Sequence, residues 1–177
     1  MKKLLKGWQI GGFIFTVVAG VILHFLFDWT NKSVIVAPFS AVNESIWEHM
    51  KLLFFPMLVF AFVESGYIGK DYESFWCTKL IGIVLGTVLI PVLYYTINGV
   101  LGTTPDWVNI AIFVVSVAIG YLAETLILKK GNLSCKSPAG AIAVLIAVAI
   151  LFVVFTFATP QIPIFQDPIT GTYGYQA

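Results

Sequence analysis

The chain has 177 residues, 59% of them hydrophobic and 11% charged, and a net charge of +1. A water-soluble domain carries about 25% charged residues, so too little polar surface is present to coat one; a disordered chain would need more charge and a stapled secreted module more cysteine. All ten cations are lysine and none cluster into a groove-sized basic patch, which argues against a nucleic-acid partner and leaves an integral membrane protein whose main partner is the lipid bilayer.

About 20 mostly apolar residues cross the hydrocarbon as a helix. The first such segment, 8–27, follows Lys2, Lys3 and Lys6 and carries His24 and Asp28, four apart and therefore on one face, at its far end. Its apolar run is long and no small-residue cleavage site follows, so it is expected to remain a span rather than act as a removed signal peptide. The second segment, 43–64, is continuously apolar only over 52–63, a rise of about 18 Å, so the polar stretch before it is expected to complete the span or lie in the interface. The third, 75–97, holds the Gly82/Gly86 pair, with Tyr94, Tyr95 and Asn98 near its end. The fourth, 107–128, contains Glu124. The fifth, 139–159, repeats Ala139, Ala143 and Ala147. Both small-residue patterns suit helix contacts within the bundle, and Pro56 and Pro91 are expected to kink spans two and three. The expected architecture is thus all-α, a bundle of five transmembrane helices over 1–159 followed by a tail, 160–177.

Five spans place Lys2, Lys3, Lys6, Lys70, Lys79, Lys129, Lys130 and Lys136 on one side. Cytoplasmic loops retain lysine, so the amino terminus is expected in the cytoplasm, the tail outside, and the protein in the cell membrane as a multi-pass chain. Cys77 and Cys135 fall on the lysine-rich side, where thiols are expected to stay reduced.

The segment Asn43-Glu44-Ser45-Ile46-Trp47-Glu48-His49-Met50-Lys51 carries the strongest functional signal. Read as one helix, it puts Glu44, Glu48 and Lys51 in a narrow stripe, with Ser45 and His49 in the next. His24 and Asp28 reach the same depth from the first span. Ionisable residues at membrane depth cost about 2.5–3.5 kcal/mol each and usually face a protein interior or a wet cavity, so His24, Asp28, Glu44, Ser45, Glu48, His49 and Lys51 are expected to form one external ligand- or ion-binding site between spans one and two. The blander alternatives are that Lys51 snorkels to the surface or that Glu48 and Lys51, three apart, neutralise one another.

The Asn43–Lys51 string resembles a family of small, uncharacterised bacterial integral membrane proteins, and Asp167-Pro168-Ile169-Thr170-Gly171-Thr172-Tyr173-Gly174 is similar to their tail. The resemblance implies a five-helix membrane fold over most of the chain and no particular activity. The leading functional reading is binding or transport of a small ligand or ion. A membrane-embedded hydrolase is the alternative, using zinc or another divalent cation on His24, Asp28, Glu44 and Glu48, or Ser45 with His49 as nucleophile and base. Adjacent Glu48 and His49 diverge by about 100°, which hinders joint ligation of one ion. A structural or accessory subunit is the third reading. At the opposite end, Glu124 is expected to pair inside the bundle with Lys79. The tail, with Pro160, Pro163 and Pro168, is expected to form an extended strap with a turn near Thr170-Gly171, crossing the external mouth with Asp167 or Tyr173 near the cluster.

Overall fold

The computed structural model describes residues 2–102 and 105–176, with the side chains of Lys2 and Lys3 outside the described set. Five helices follow in order: α1 (Lys2–Trp29), α2 (Ile46–Tyr67), α3 (Phe75–Leu101), α4 (Asp106–Lys130) and α5 (Pro138–Phe157). Each is long and apolar enough to cross a membrane, as the composition requires. Among the described residues the extended structure is limited to one antiparallel bridge, Gln166 to Tyr173.

The helices are packed around α2. Of its most apolar stretch 67% is buried, against 22–33% for the other four, and it touches α1, α3, α4 and α5. This explains why the second span is the least apolar: a helix surrounded by protein can carry polar groups that find partners, whereas a lipid-facing helix cannot. Leu53, Phe54, Met57 and Ala61 are fully buried on it and form the core with Ile83, Val117, Leu145 and Phe152.

Two close approaches bring neighbouring helices together. Gly82 and Gly86 of α3 face Ser116 and Gly120 of α4, and a Cβ at Gly120 would lie 2.9 Å from the Gly82 carbonyl oxygen. Small residues therefore serve an internal seam, as expected for Gly82 and Gly86. The alanine repeat does not: Ala139, Ala143 and Ala147 lie on the exposed side of α5, which buries Ala141, Leu145, Phe152 and Thr156 instead. At the second approach, Pro56 lacks the N–H that Leu52 would otherwise receive, and α1 passes so close that a Cβ at Gly20 would sit 2.8 Å from that carbonyl oxygen.

Two features differ from the periodicity reading. The helix of the second span starts at Ile46 rather than 43, because the Ser45 hydroxyl accepts the Glu48 N–H at 3.4 Å and caps it. Cys77 and Cys135 form a disulfide across 58 residues, overturning the expectation of two reduced thiols. Cys77 begins α3 and Cys135 lies in the loop before α5, so the topology returns both to one end of the bundle.

The seam predicts a sharp contrast. Gly120→Ala should destabilise the protein by about 1–3 kcal/mol, since its contact is rigid backbone, whereas Gly99→Ala, which meets open space, should be neutral or mildly stabilising through helix propensity. Thermal unfolding in detergent micelles checks both.

Candidate metal and ligand site

The connection from α1 to α2 is folded into the bundle. Ser40 is fully buried; its hydroxyl donates to the Leu23 carbonyl and accepts the Phe27 N–H at 3.0 Å, pinning the loop to the end of α1. The Ala37 carbonyl accepts a hydrogen bond from Lys51 Nζ at 3.0 Å. Lys51 also donates to Thr156 Oγ1 of α5 at 2.9 Å and pairs with Glu48 Oε2 at 2.5 Å. The same carboxylate oxygen accepts the Val42 N–H at 3.0 Å. Both side chains are essentially inaccessible to solvent. Lys51 therefore does not snorkel, and neither it nor Glu48 faces the cavity described next. Mutual neutralisation is what the geometry contains.

With α2 starting at Ile46, Glu44 belongs to the loop and not to a helical stripe. It nevertheless reaches the histidines. Glu44 Oε2 lies 3.5 Å from His49 Nε2 and 3.8 Å from His24 Nε2. The two imidazole rings meet edge-on with centroids 5.3 Å apart, and the three potential ligand atoms fall within 4.8 Å of one another. Asp28 is exposed and stands outside this group, and Glu48 is turned away from it, so of the four residues expected to ligate a metal only His24 and Glu44 come together, joined by His49. The divergence of adjacent side chains on a helix is the reason: His49 points to the cluster and Glu48 into the core.

His49 Nδ1 lies 2.8 Å from the Ser45 carbonyl oxygen. A carbonyl only accepts, so Nδ1 carries a proton and Nε2 is the ring nitrogen that faces Glu44. This contact also disposes of Ser45 as a nucleophile activated by His49: the histidine holds the serine's backbone, while the hydroxyl caps α2. His24 Nδ1 is buried without a hydrogen-bond partner. Two ligands on one tetrahedral zinc at about 2.1 Å stand about 3.4 Å apart; the separations from Glu44 are 3.5 and 3.8 Å, and the three atoms together fall within 4.8 Å, so the set must draw in to close on such an ion.

The three residues form the polar end of a cavity of about 480 Å³ between α1 and α4. Its remaining wall is apolar, with Gly20, Leu52 and Phe113 among the lining residues, and it opens sideways past Val21, Phe25 and Ile110, all exposed on the outer surface of the helices. Asp106 and Asn109 of α4 also line it, and Asn109 Oδ1 has no hydrogen-bond partner. These two were not singled out from the sequence, where Asp106 reads as an ordinary acidic residue in a first turn. Tyr94 and Tyr95 of α3 do not line the cavity.

The tail closes over the same end. Asp167 is almost fully buried, and its carboxylate accepts the N–H groups of Ile169 at 2.7 Å, Thr170 at 3.2 Å and Glu44 at 3.5 Å. Desolvation pushes its carboxyl up, but the bonds from Ile169, Thr170 and Glu44 outweigh that and hold it below the ordinary carboxylate range. Gly171 supplies the left-handed turn at φ 73°. Ile169 lines the cavity, Asn43 Nδ2 donates to the Gly174 carbonyl at 3.1 Å, and the Tyr175 N–H satisfies the Thr156 carbonyl of α5 at 2.8 Å. Trp47 packs against Phe152 and Phe165 in tilted ring contacts, with both centroids 4.6 Å away.

The opposite end holds a second polar group. Lys79 of α3 sits between two buried carboxylates, with Nζ at 2.5 Å from Glu124 Oε2 and paired also with Glu64 Oε2. Gln9 of α1 donates to Glu64 Oε1 at 2.8 Å. The Lys79–Glu124 contact is the one expected from depth; Glu64 and Gln9 were missed. Their signal was the presence of a carboxylate and an amide within a turn or two of the span ends, at the depth of Lys79.

Replacing Lys51 with methionine should cost about 3–5 kcal/mol, because Glu48 is then left buried and charged without its partner. The double variant Lys51→Met/Glu48→Gln should recover a substantial part of that loss. Unfolding followed by the near-ultraviolet dichroism of the Trp47 cluster measures both.

Neither a curated protein nor a solved structure matches the chain. A family model matches residues 1–175, which is nearly the whole chain. The chain belongs to that family, described as a family of unknown function (DUF6512).

Proposed function

We propose that the protein holds a divalent transition-metal ion of the zinc class through His24, Glu44 and His49, and presents it to a small amphipathic molecule that enters the adjoining cavity. The observation that carries this reading is the convergence of His24, Glu44 and His49, whose potential ligand atoms lie within 4.8 Å of one another. His49 Nε2 faces a carboxylate oxygen of Glu44 at 3.5 Å, and His24 Nε2 faces the same oxygen at 3.8 Å, an arrangement that a shared cation, a metal ion or a proton, stabilises. Two imidazoles and a carboxylate are a common donor set for zinc, and three protein ligands leave a fourth position for water or a ligand headgroup. The Ser45 carbonyl behind His49 supplies the outer contact that orients such a ligand. The sideways opening favours a ligand with an apolar body and a polar end, drawn from the bilayer.

Hydrolysis is the second use of this site, and Asp106 favours it. A metal-bound water is a nucleophile near neutral pH, and a carboxylate on the same cavity is a candidate general base for it.

Equilibrium dialysis of purified protein against zinc, followed by elemental analysis, tests the proposal. One zinc per chain is expected. His49→Ala, His24→Ala and Glu44→Gln should each weaken binding by more than about 100-fold, since loss of an outer contact alone costs about 10–100-fold. Asp28→Asn should bind as the unaltered protein does. Retention of full affinity in Glu44→Gln would rule the site out.

A further inference from the structure

We propose that Glu124, Lys79 and Glu64 form a proton-binding site that takes up and releases one proton from the lysine-rich end of the bundle. Two carboxylates and one ammonium, all essentially inaccessible to solvent, sum to one uncompensated negative charge. A buried charge without a partner is costly, and the group adjusts by binding a proton where it can. The contacts of the triad leave one carboxylate oxygen with neither an ion pair nor a hydrogen bond. Glu64 Oε1 accepts from Gln9, and both Glu64 Oε2 and Glu124 Oε2 engage Lys79. Glu124 Oε1 is buried and has no hydrogen-bond partner. It lies over Gly82, where a Cβ would come within 2.6 Å of it, so a glycine makes the room this oxygen occupies.

Among the described residues no other charge packed against the triad neutralises it. From α1 the neighbour is the neutral amide of Gln9. From α4 the Tyr121 phenol interacts with both carboxylates, and its ring lies 5.6 Å from Lys79 Nζ. From the segment between α2 and α3, the Tyr72 phenol interacts with Glu64 and with Asp71, which adds negative charge. Two further cations on this side, Lys6 and Lys129, line a groove of about 350 Å³ together with Gln9, Tyr121 and Thr125.

That groove supplies the route. Gln9 lines it and touches Glu64, and Thr125 Oγ1 donates to Gln9 Oε1 at 3.4 Å. Water in the groove therefore stands one side chain away from the triad. Uptake forms an O–H bond at Glu124 Oε1 with a proton delivered by water; release returns the proton to water and leaves the carboxylate, with no other bond made or broken. Further along the same α1–α4 seam, Thr16 Oγ1 and the Tyr121 hydroxyl are hydrogen-bonded at 3.0 Å. The seam then continues to the cavity holding His24, so the proton site and the proposed metal site lie toward opposite ends of the α1–α4 seam, with the apolar wall of the cavity between Thr16 and His24.

Infrared difference spectroscopy of the full-length protein in lipid nanodiscs tests this directly. Titration between about pH 5 and pH 9, a window that buried glutamates reach, should show a protonated-carboxyl stretch that disappears as pH rises, equivalent to one proton per chain. Glu124→Gln should remove that band, and Asp28→Asn should leave it in place. The unaltered protein decides the matter even if a variant fails to fold: absence of the band throughout, or a band that does not change with pH, would overturn the proposal. So would a band abolished by added sodium, which would make the neutralising ion a metal cation. Loss of zinc binding at the other end would not affect this outcome.

Discussion

Lys51 is the residue around which the site-bearing end of the molecule is organised. An ammonium in the second turn of a membrane helix, with no access to solvent, must have every donor satisfied by protein. Glu48, the Ala37 carbonyl and Thr156 supply those partners from α2, the α1–α2 loop and α5 respectively. The loop between the first two spans is therefore drawn into the bundle instead of lying on the membrane surface. That position brings Ser45 to the start of α2 as its cap and leaves Glu44 just outside the helix, facing His24 and His49. The charged pair itself does not contact the cavity. It sets the place of the residues that do.

The rest of α2 follows the same logic. A helix enclosed by four others can accommodate polar residues, and it takes part in one set at each end, Glu48 with its own Lys51 and Glu64 with Lys79 of α3. Between them it is apolar and forms the core. In the lysine-rich half of the bundle, Gln9, Thr16, Tyr121 and Thr125 place polar side chains along the interface of α1 and α4. The cavity opens along this interface, and the glycines at the α3–α4 seam draw α4 close to α3 on its other side.

The five spans and the all-α fold were legible because each crossing demands a long apolar run, and a water-soluble domain seldom contains even one run of that length. The identity of the polar segment was legible too, since ionisable residues are rare at membrane depth. Its arrangement was not. Helical periodicity put Glu44 on the stripe of Glu48 and Lys51, because Ser45 was counted as a helix-interior residue; Glu48 at the third position after it, a capping-box spacing, was the available signal for a cap. Glu64 was passed over as the boundary of a span, although a carboxylate there requires a partner as much as one in the middle does. The disulfide was misjudged for a physical reason: lysine bias assigned its end of the bundle to the cytoplasm, and thiols there are ordinarily reduced. The two rules conflict at Cys77 and Cys135, and sequence spacing carries no information on which pairs of loops the helices bring together.

The reading of His24, Glu44 and His49 as a metal site, built by the loop that Lys51 anchors, is tested most directly by X-ray absorption at the zinc edge. Protein loaded with one equivalent of zinc reports the ligands themselves. Two imidazole nitrogens and one carboxylate oxygen at about 2.0–2.2 Å are expected, with one imidazole lost in His49→Ala. A shell of oxygens alone, or a spectrum indifferent to His49→Ala, would contradict that reading.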